Sequence, residues 1–264
     1  MSDRHVFIIT GAGTGIGAAT TRLLTDSGHH VVASGRRAEP LKRLAEETGA
    51  LPFAADAATE EGVTALVNAT LAAHGRLDGL VLNAGVMIAG TALETSPDDW
   101  DTVLRTNLTG PYLLARAALP HLLSARGSVV AVSSVAALRA PTASAAYAAS
   151  KAGLAMLTQS LAVDHGRQGL RANVVCPGWA QTEMADQEMD EFSGGRDRKE
   201  AYAEVTRLVP QGRAAYPVEI AQAVAWLLSS SASYVNGSVL AVDGGAIAVD
   251  VGTSAYGFRI EPRT

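Results

Sequence analysis

The chain has a single cysteine, Cys176, among its 264 residues. No intrachain disulfide can form, which excludes the disulfide-framed secreted scaffolds. Excess positive charge is also missing: Lys+Arg number 21 against Asp+Glu 26, for a net charge of −5. Nucleic-acid surfaces need clustered Lys and Arg, so no nucleic-acid partner is expected. Long apolar runs are missing as well. A membrane-spanning helix needs roughly 20 predominantly apolar residues, and here Gly, Pro, Ser or a charge interrupts every long stretch. No membrane partner is expected. The start, Met1-Ser2-Asp3-Arg4, leads into a short apolar run and then glycines, unlike a secretory leader. The cytoplasm is the expected compartment. Internal repeats, low-complexity tracts and linkers are absent too, so one domain over residues 1–264 is expected.

What is present is a regular alternation. Short aliphatic runs at 6–9, 31–33, 51–53, 80–82, 129–132, 172–175 and 239–242 are separated by segments long enough for helices. Runs without polar alternation suit strands covered on both faces, and crossover helices between them make neighbouring strands parallel. The expected fold class is α/β: a doubly wound, seven-stranded parallel sheet flanked by helices. Segments 99–125 and 146–166 are apolar around most of a helical circumference. Burial within one subunit covers only one such face, which predicts a homo-oligomer. Segment 184–212 turns polar and charged after a strand end, where open α/β sheets bind ligands, and reads as a substrate lid.

The first strand runs into Thr10-Gly11-Ala12-Gly13-Thr14-Gly15-Ile16-Gly17, with helical character from Ala18 onward. Glycines let backbone N–H groups approach a pyrophosphate, and the helix N-terminus attracts the anion. A dinucleotide site follows. Gly11, Gly15 and Gly17 form one framing of the motif, and Gly13, Gly15 and Ala18 another; spacing does not choose between them. The second strand ends in Ser34-Gly35-Arg36-Arg37, where an acidic residue would hold a ribose 2′-hydroxyl. A guanidinium at Arg36 or Arg37 pairs with a 2′-phosphate instead, which favours NADP(H) over NAD(H). Asp56, after the third strand, is placed to accept from the adenine amino group, or to start the helix near Thr59.

Tyr147 and Lys151 are spaced to share one helix face. A free phenol has a pKa of about 10. An ammonium at about 4 Å in a partly screened environment contributes about 4 kcal/mol toward lowering it, before desolvation takes part of that back. Asn107 and Ser134 complete a set with this pair, and Ser133 competes with Ser134. Adjacent side chains of an extended chain face opposite ways, so only one of the two serines faces the substrate.

Together these residues resemble the short-chain dehydrogenase/reductase family. Its T-G-x-x-x-G-x-G loop corresponds to Thr10 through Gly17 and its N-A-G segment to Asn83-Ala84-Gly85. Asn107, Ser134 and the Y-x-x-x-K pair Tyr147/Lys151 follow in order. Pro177-Gly178 with Thr182, and Val242-Asp243-Gly244-Gly245, extend the likeness over roughly residues 5–245. Leu82 departs from it, standing where many members carry Asn.

The resemblance implies a Rossmann domain, a nicotinamide cofactor, and Tyr147 as general acid/base on a secondary alcohol or ketone. It further implies that Ser134 binds the reacting oxygen and that Lys151 lowers the phenol pKa and holds the nicotinamide ribose. Asn107 would hold a relay water. Asn83, Ala84 and Gly85 would support the sheet beside the cofactor, Thr182 would anchor the carboxamide, and the assembly would be a tetramer. A reductase for carrier-bound 3-oxoacyl groups and a non-catalytic dinucleotide sensor are the alternatives. The sensor would be expected to have lost Tyr147, Lys151 or Ser134.

Cys176 reads as a small core residue. The six histidines lack metal-ligand spacing, so no metal is expected. Trp100 and Trp226 read as core or interface packing, and Trp179, after the Pro177-Gly178 turn, as a residue near substrate. Within the tail 246–264, Tyr256, Phe258, Arg259 and Pro262 are read as packing on a neighbouring subunit or closing a pocket.

Overall fold

A computed structural model describes residues 4–250 and 252, so the aromatic tail residues lie outside the described set. Seven strands, β1 (Val6–Thr10), β2 (His30–Gly35), β3 (Leu51–Ala54), β4 (Gly79–Leu82), β5 (Ser128–Val132), β6 (Arg171–Pro177) and β7 (Val239–Val242), form one sheet. The order is β3-β2-β1-β4-β5-β6-β7 and every pairing is parallel. The helices are α1 (Gly15–Asp26), α2 (Ala38–Thr48), α3 (Glu60–His74), α4 (Pro97–Leu104), α5 (Gly110–Ala125), α6 (Ala145–His165), α7 (Glu183–Ser193), α8 (Arg198–Val205) and α9 (Pro217–Leu228).

The unalternated strand pattern has a direct physical meaning. Successive side chains of a strand point to opposite faces, and in β1 Phe7 and Ile9 join Leu24 of α1 and Val224 and Leu227 of α9. Ile8 points the other way, into a second core with Leu66 of α3, Leu114 and Leu122 of α5 and Leu154 of α6. Two cores on one sheet demand apolar residues at every position of the central strands. The edges relax that demand: β3 alternates between partly buried and exposed residues, and β7 is only partly buried.

Segment 99–125 is not one regular helix. A π-helical turn, Arg105–Thr109, separates α4 from α5 and carries Asn107 inward to full burial. Helical turns of this kind concentrate at functional sites. The outer faces of α5 and α6 expose Tyr112, Met156 and Val163, and Trp100 and Trp226 are also exposed, so neither tryptophan belongs to this chain's core. No helix among the described residues is long and apolar enough to cross a membrane.

Strand order reverses direction between β1 and β4: β2 and β3 lie on one side, β4 to β7 on the other. The connections leave a crevice at the carboxyl ends of the strands there, the usual ligand position in such sheets.

Candidate active site

A cleft of about 1160 Å³ occupies this crevice, lined by residues from Thr10 through Val249. Its wall takes in every sequence-predicted site residue except Gly17 and Asn107, which sit just behind it. The glycine loop forms one end. Gly11 and Gly15 have φ of +62° and +55°, conformations that L side chains rarely adopt. A Cβ on Gly17 would stand 2.4 Å from the Gly11 carbonyl oxygen and 2.7 Å from Asn83 Nδ2. Gly13 has no positive φ. Positive φ at Gly11 and Gly15 and the crowding at Gly17 make these three the positions where this loop needs glycine most. The N-cap of α1, Thr14, makes no side-chain capping bond, which leaves the first-turn N–H groups available at the cleft.

Asn83 fastens that loop to the end of β4. Its Nδ2 donates to the Thr10 and Gly11 carbonyls at 2.9 and 3.2 Å. Thr10 Oγ1 in turn accepts from the Asn83 and Ala84 backbone N–H groups, each at 3.1 Å. Gly85 lies against the lysine: a Cβ there would approach Lys151 Nζ to 3.2 Å. Ser34, at the end of β2, is buried against the cleft, and its Oγ has no hydrogen-bond partner among the described residues.

Arg36 and Arg37 line the cleft beyond Ser34, but Arg37 is engaged. Its guanidinium donates to both oxygens of Glu183 at 2.8 and 2.5 Å. Asp56 Oδ1 accepts from the Ala58 N–H at 2.9 Å, a turn contact just before the Thr59 cap of α3. Thr182 caps α7 by accepting from Ala185 N, and its methyl group faces Gly15. Pro177 and Gly178 line the cleft between β6 and α7, and Trp179 follows them into the wall.

The reactive end gathers side chains from β5 and α6. Ser133 is buried and donates to the Lys151 carbonyl at 2.8 Å, a structural bond. Ser134 faces the other way, as its extended backbone requires; its Oγ accepts from Ala136 N at 3.1 Å, and its hydroxyl is near enough to Tyr147 to pull the phenol pKa down. Tyr147 and Lys151 lie in the first two turns of α6, with Lys151 Nζ 5.6 Å from the Tyr147 ring centre. Nζ donates to the Val132 carbonyl at 3.0 Å.

Charge in this pocket is governed by burial before anything else. Burial pushes the Tyr147 phenol up, and Ser134 is the group that pulls it back down. Lys151, which the sequence argument made the main influence on the phenol, does not outweigh burial; its own pKa is pushed down to about 8 by desolvation. The reason is that water, the best stabiliser of either charge, is displaced from both groups.

Asn107 is tied down by its side-chain amide. Its Oδ1 accepts from Val86 N at 2.8 Å, and its Nδ2 donates to Val86 O at 2.9 Å and to Ser150 Oγ at 3.0 Å. Both amide hydrogens are used, so the side chain positions its neighbours. Ser150, missed in the sequence, continues the chain by donating to the Tyr147 carbonyl at 2.7 Å.

Glu183 and Glu188 were also missed. Glu188, on α7, lines the cleft; burial and Glu191 hold its carboxyl above the ordinary range, and its charge pushes the Tyr147 phenol up. Nothing in their sequence spacing marks either residue, since only folding brings α7 over the sheet. Residues 184–212 form α7, α8 and the following loop. Tyr202 donates to Asp186 at 2.9 Å and Arg198 pairs with Asp190 at 2.6 Å, holding the two helices together. Cys176 is buried and its thiol pushed up, which makes it a poor nucleophile. Among the described residues no cluster of His, Cys, Asp and Glu could hold a metal.

Comparison with known proteins agrees with this geometry. A family model described as enoyl-(acyl carrier protein) reductase matches residues 11–246. Meso-2,3-butanediol dehydrogenase of Serratia marcescens is 36% identical over 243 residues, covering 91% of this chain and 93% of that one. The crystal structure of levodione reductase superposes with a TM-score of 0.89 at 34% identity, covering 93% of this chain and 98% of that chain. The 3-ketoacyl-(acyl-carrier-protein) reductase of Brucella melitensis, solved in complex with NADH, gives 0.83 at 30% identity, with 92% and 98% covered. The chain belongs to the short-chain dehydrogenase/reductase family and is an oxidoreductase that transfers hydride between a nicotinamide cofactor and a secondary alcohol or ketone.

Proposed function

We propose that the cleft binds NADP(H) in preference to NAD(H) and interconverts a small secondary alcohol and its ketone, with Tyr147 as general acid and base. One observation carries this reading: Ser134, Tyr147 and Lys151 line the same cleft as the glycine loop. The residues fit a dinucleotide. A Cβ at Gly17 would fill the space between Gly11 and Asn83, and the buried, unpartnered Ser34 hydroxyl waits for a polar group at the end of β2. Gly11, Thr14, Gly15, Ile16 and Gly17 would cradle the pyrophosphate, and Arg36 with Arg37 would meet the adenosine end. Asp56 would serve the adenine, with Asn83, Ala84, Gly85, Pro177, Gly178 and Thr182 toward the nicotinamide. The preference for NADP(H) rests on two arginines, and no acidic residue in sequence, directly after β2.

When bound, the nicotinamide supplies or accepts the hydride. This chain's own residues manage the proton. In reduction, Tyr147 donates its phenolic proton to the carbonyl oxygen while the Ser134 hydroxyl holds that oxygen in line; in oxidation Tyr147 takes the proton back. Lys151, with a pKa near 8, is protonated at neutral pH yet able to give up a proton, which suits it to recharge the phenolate. Asn107 and Ser150 position the start of α6 under these groups.

Residues 184–212 serve as substrate lid on a single catalytic domain, and the exposed faces of α5 and α6 meet a second copy in a homo-oligomer, a tetramer by family likeness. The compartment is the cytoplasm. The relatives' names, a butanediol dehydrogenase, a levodione reductase and a ketoacyl carrier-protein reductase, have the alcohol/carbonyl couple in common. The test is to titrate NADP+ and NAD+ by fluorescence, then assay alcohols and ketones at the reduced-nicotinamide absorbance. Tyr147→Phe should bind dinucleotide normally but lose about 10²- to 10⁴-fold in turnover. Turnover equal to the parent's would refute the role.

A further inference from the structure

Arg37 and Glu183 are separated by 146 positions in sequence, yet form a two-pronged ion pair across the mouth of the cleft. Arg37 is the N-cap residue of α2, two positions past β2, and Glu183 opens α7, so the pair joins two elements that line the cleft. Arg37, with a minor contribution from the Thr14 hydroxyl, holds the Glu183 carboxyl below its ordinary range. Arg36, its neighbour, has no ion-pair partner among the described residues. The anionic head of Glu183 thus sits beside the guanidinium that a phosphate ester would seek.

We propose that Glu183 is a specificity-determining residue for the cofactor: by occupying Arg37 it narrows the margin by which the cleft prefers NADP(H) over NAD(H). The proposal rests on the dinucleotide reading and deepens it. A 2′-phosphate brings about −2 of charge to a place where one arginine is already neutralised and a carboxylate repels it. NAD(H) carries only a hydroxyl there and is nearly indifferent to both effects. The pair is exchangeable because both side chains are open to water, Arg37 58% and Glu183 42% exposed, and exposed ion pairs are individually weak.

The test is a double-mutant cycle on the full chain, with Kd for NADP+ and NAD+ read by fluorescence titration in the absence of substrate. Glu183→Gln should tighten NADP+ by about fivefold while altering NAD+ much less. Arg37→Gln should weaken NADP+ little in the parent but about fivefold or more in the Glu183→Gln background. Raising the salt should shrink both effects. Equal changes for the two dinucleotides, or an Arg37→Gln effect identical in both backgrounds, would overturn the proposal. If neither dinucleotide binds the parent protein at millimolar concentration, the dinucleotide reading itself fails and the proposal with it.

Discussion

Lys151→Met should make the protein more stable and less active at once. Lys151 is buried, and its pKa falls from 10.5 to about 8 on folding. The folded state therefore disfavours the ammonium. Below about pH 8 both folded and unfolded chains hold the proton, and the cost of burying the charge is fully present. Between there and 10.5 the unfolded chain keeps a proton that the folded chain releases, so stability rises with pH across that window. At about 1.4 kcal/mol per pH unit the cost is about 3 kcal/mol at pH 7 and about 1 kcal/mol at pH 9.5. Methionine removes it but also loses the 3.0 Å bond to the Val132 carbonyl, worth about 1 kcal/mol. The net gain is about 2 kcal/mol at pH 7, or about 4–8 °C in Tm, and about zero at pH 9.5. Equilibrium denaturant unfolding of parent and variant at both pH values, at one protein concentration, reads the difference directly. A variant no more stable than the parent at pH 7, or a stability gap that does not close with rising pH, would refute the reasoning.

Two further substitutions probe the two ends of the cleft. Gly17→Ala puts a methyl group 2.4 Å from the Gly11 oxygen and 2.7 Å from Asn83 Nδ2, so the loop must shift. Dinucleotide affinity should fall by about tenfold or more, with a stability loss of about 1–3 kcal/mol by thermal melting. Glu188→Gln removes a negative charge that pushes the Tyr147 phenol up. Since phenolate is the active base in oxidation, the pH–rate profile should move to lower pH; a profile that stays in place or moves to higher pH would show that Glu188 does not reach the phenol.

Much of the fold was legible because it depends on local pattern. Apolar runs alternating with helix-length segments are sufficient to specify a parallel sheet covered on both faces, and the seven expected strands are found within a few residues of their limits. That Ser133 and Ser134 face opposite ways was also legible, because alternation along an extended chain is a local property, whereas which of them faces the reacting groups was taken from the family spacing.

Long-range geometry decided the rest. Which glycines matter depended on where Asn83 and the Gly11 carbonyl come to rest, distances that no spacing encodes. Arg37 looked free in the chain and proved paired, because its partner arrives from 146 positions away. The side-chain partners of Asn107 were equally illegible, since it is the π turn that buries it against Val86 and Ser150. The sign of the Tyr147 shift likewise followed from how much water the folded pocket excludes. Sequence determines periodicity and residue chemistry, which act over neighbouring positions; desolvation and pairing depend on what the folded chain brings alongside, and only the tertiary structure decides that.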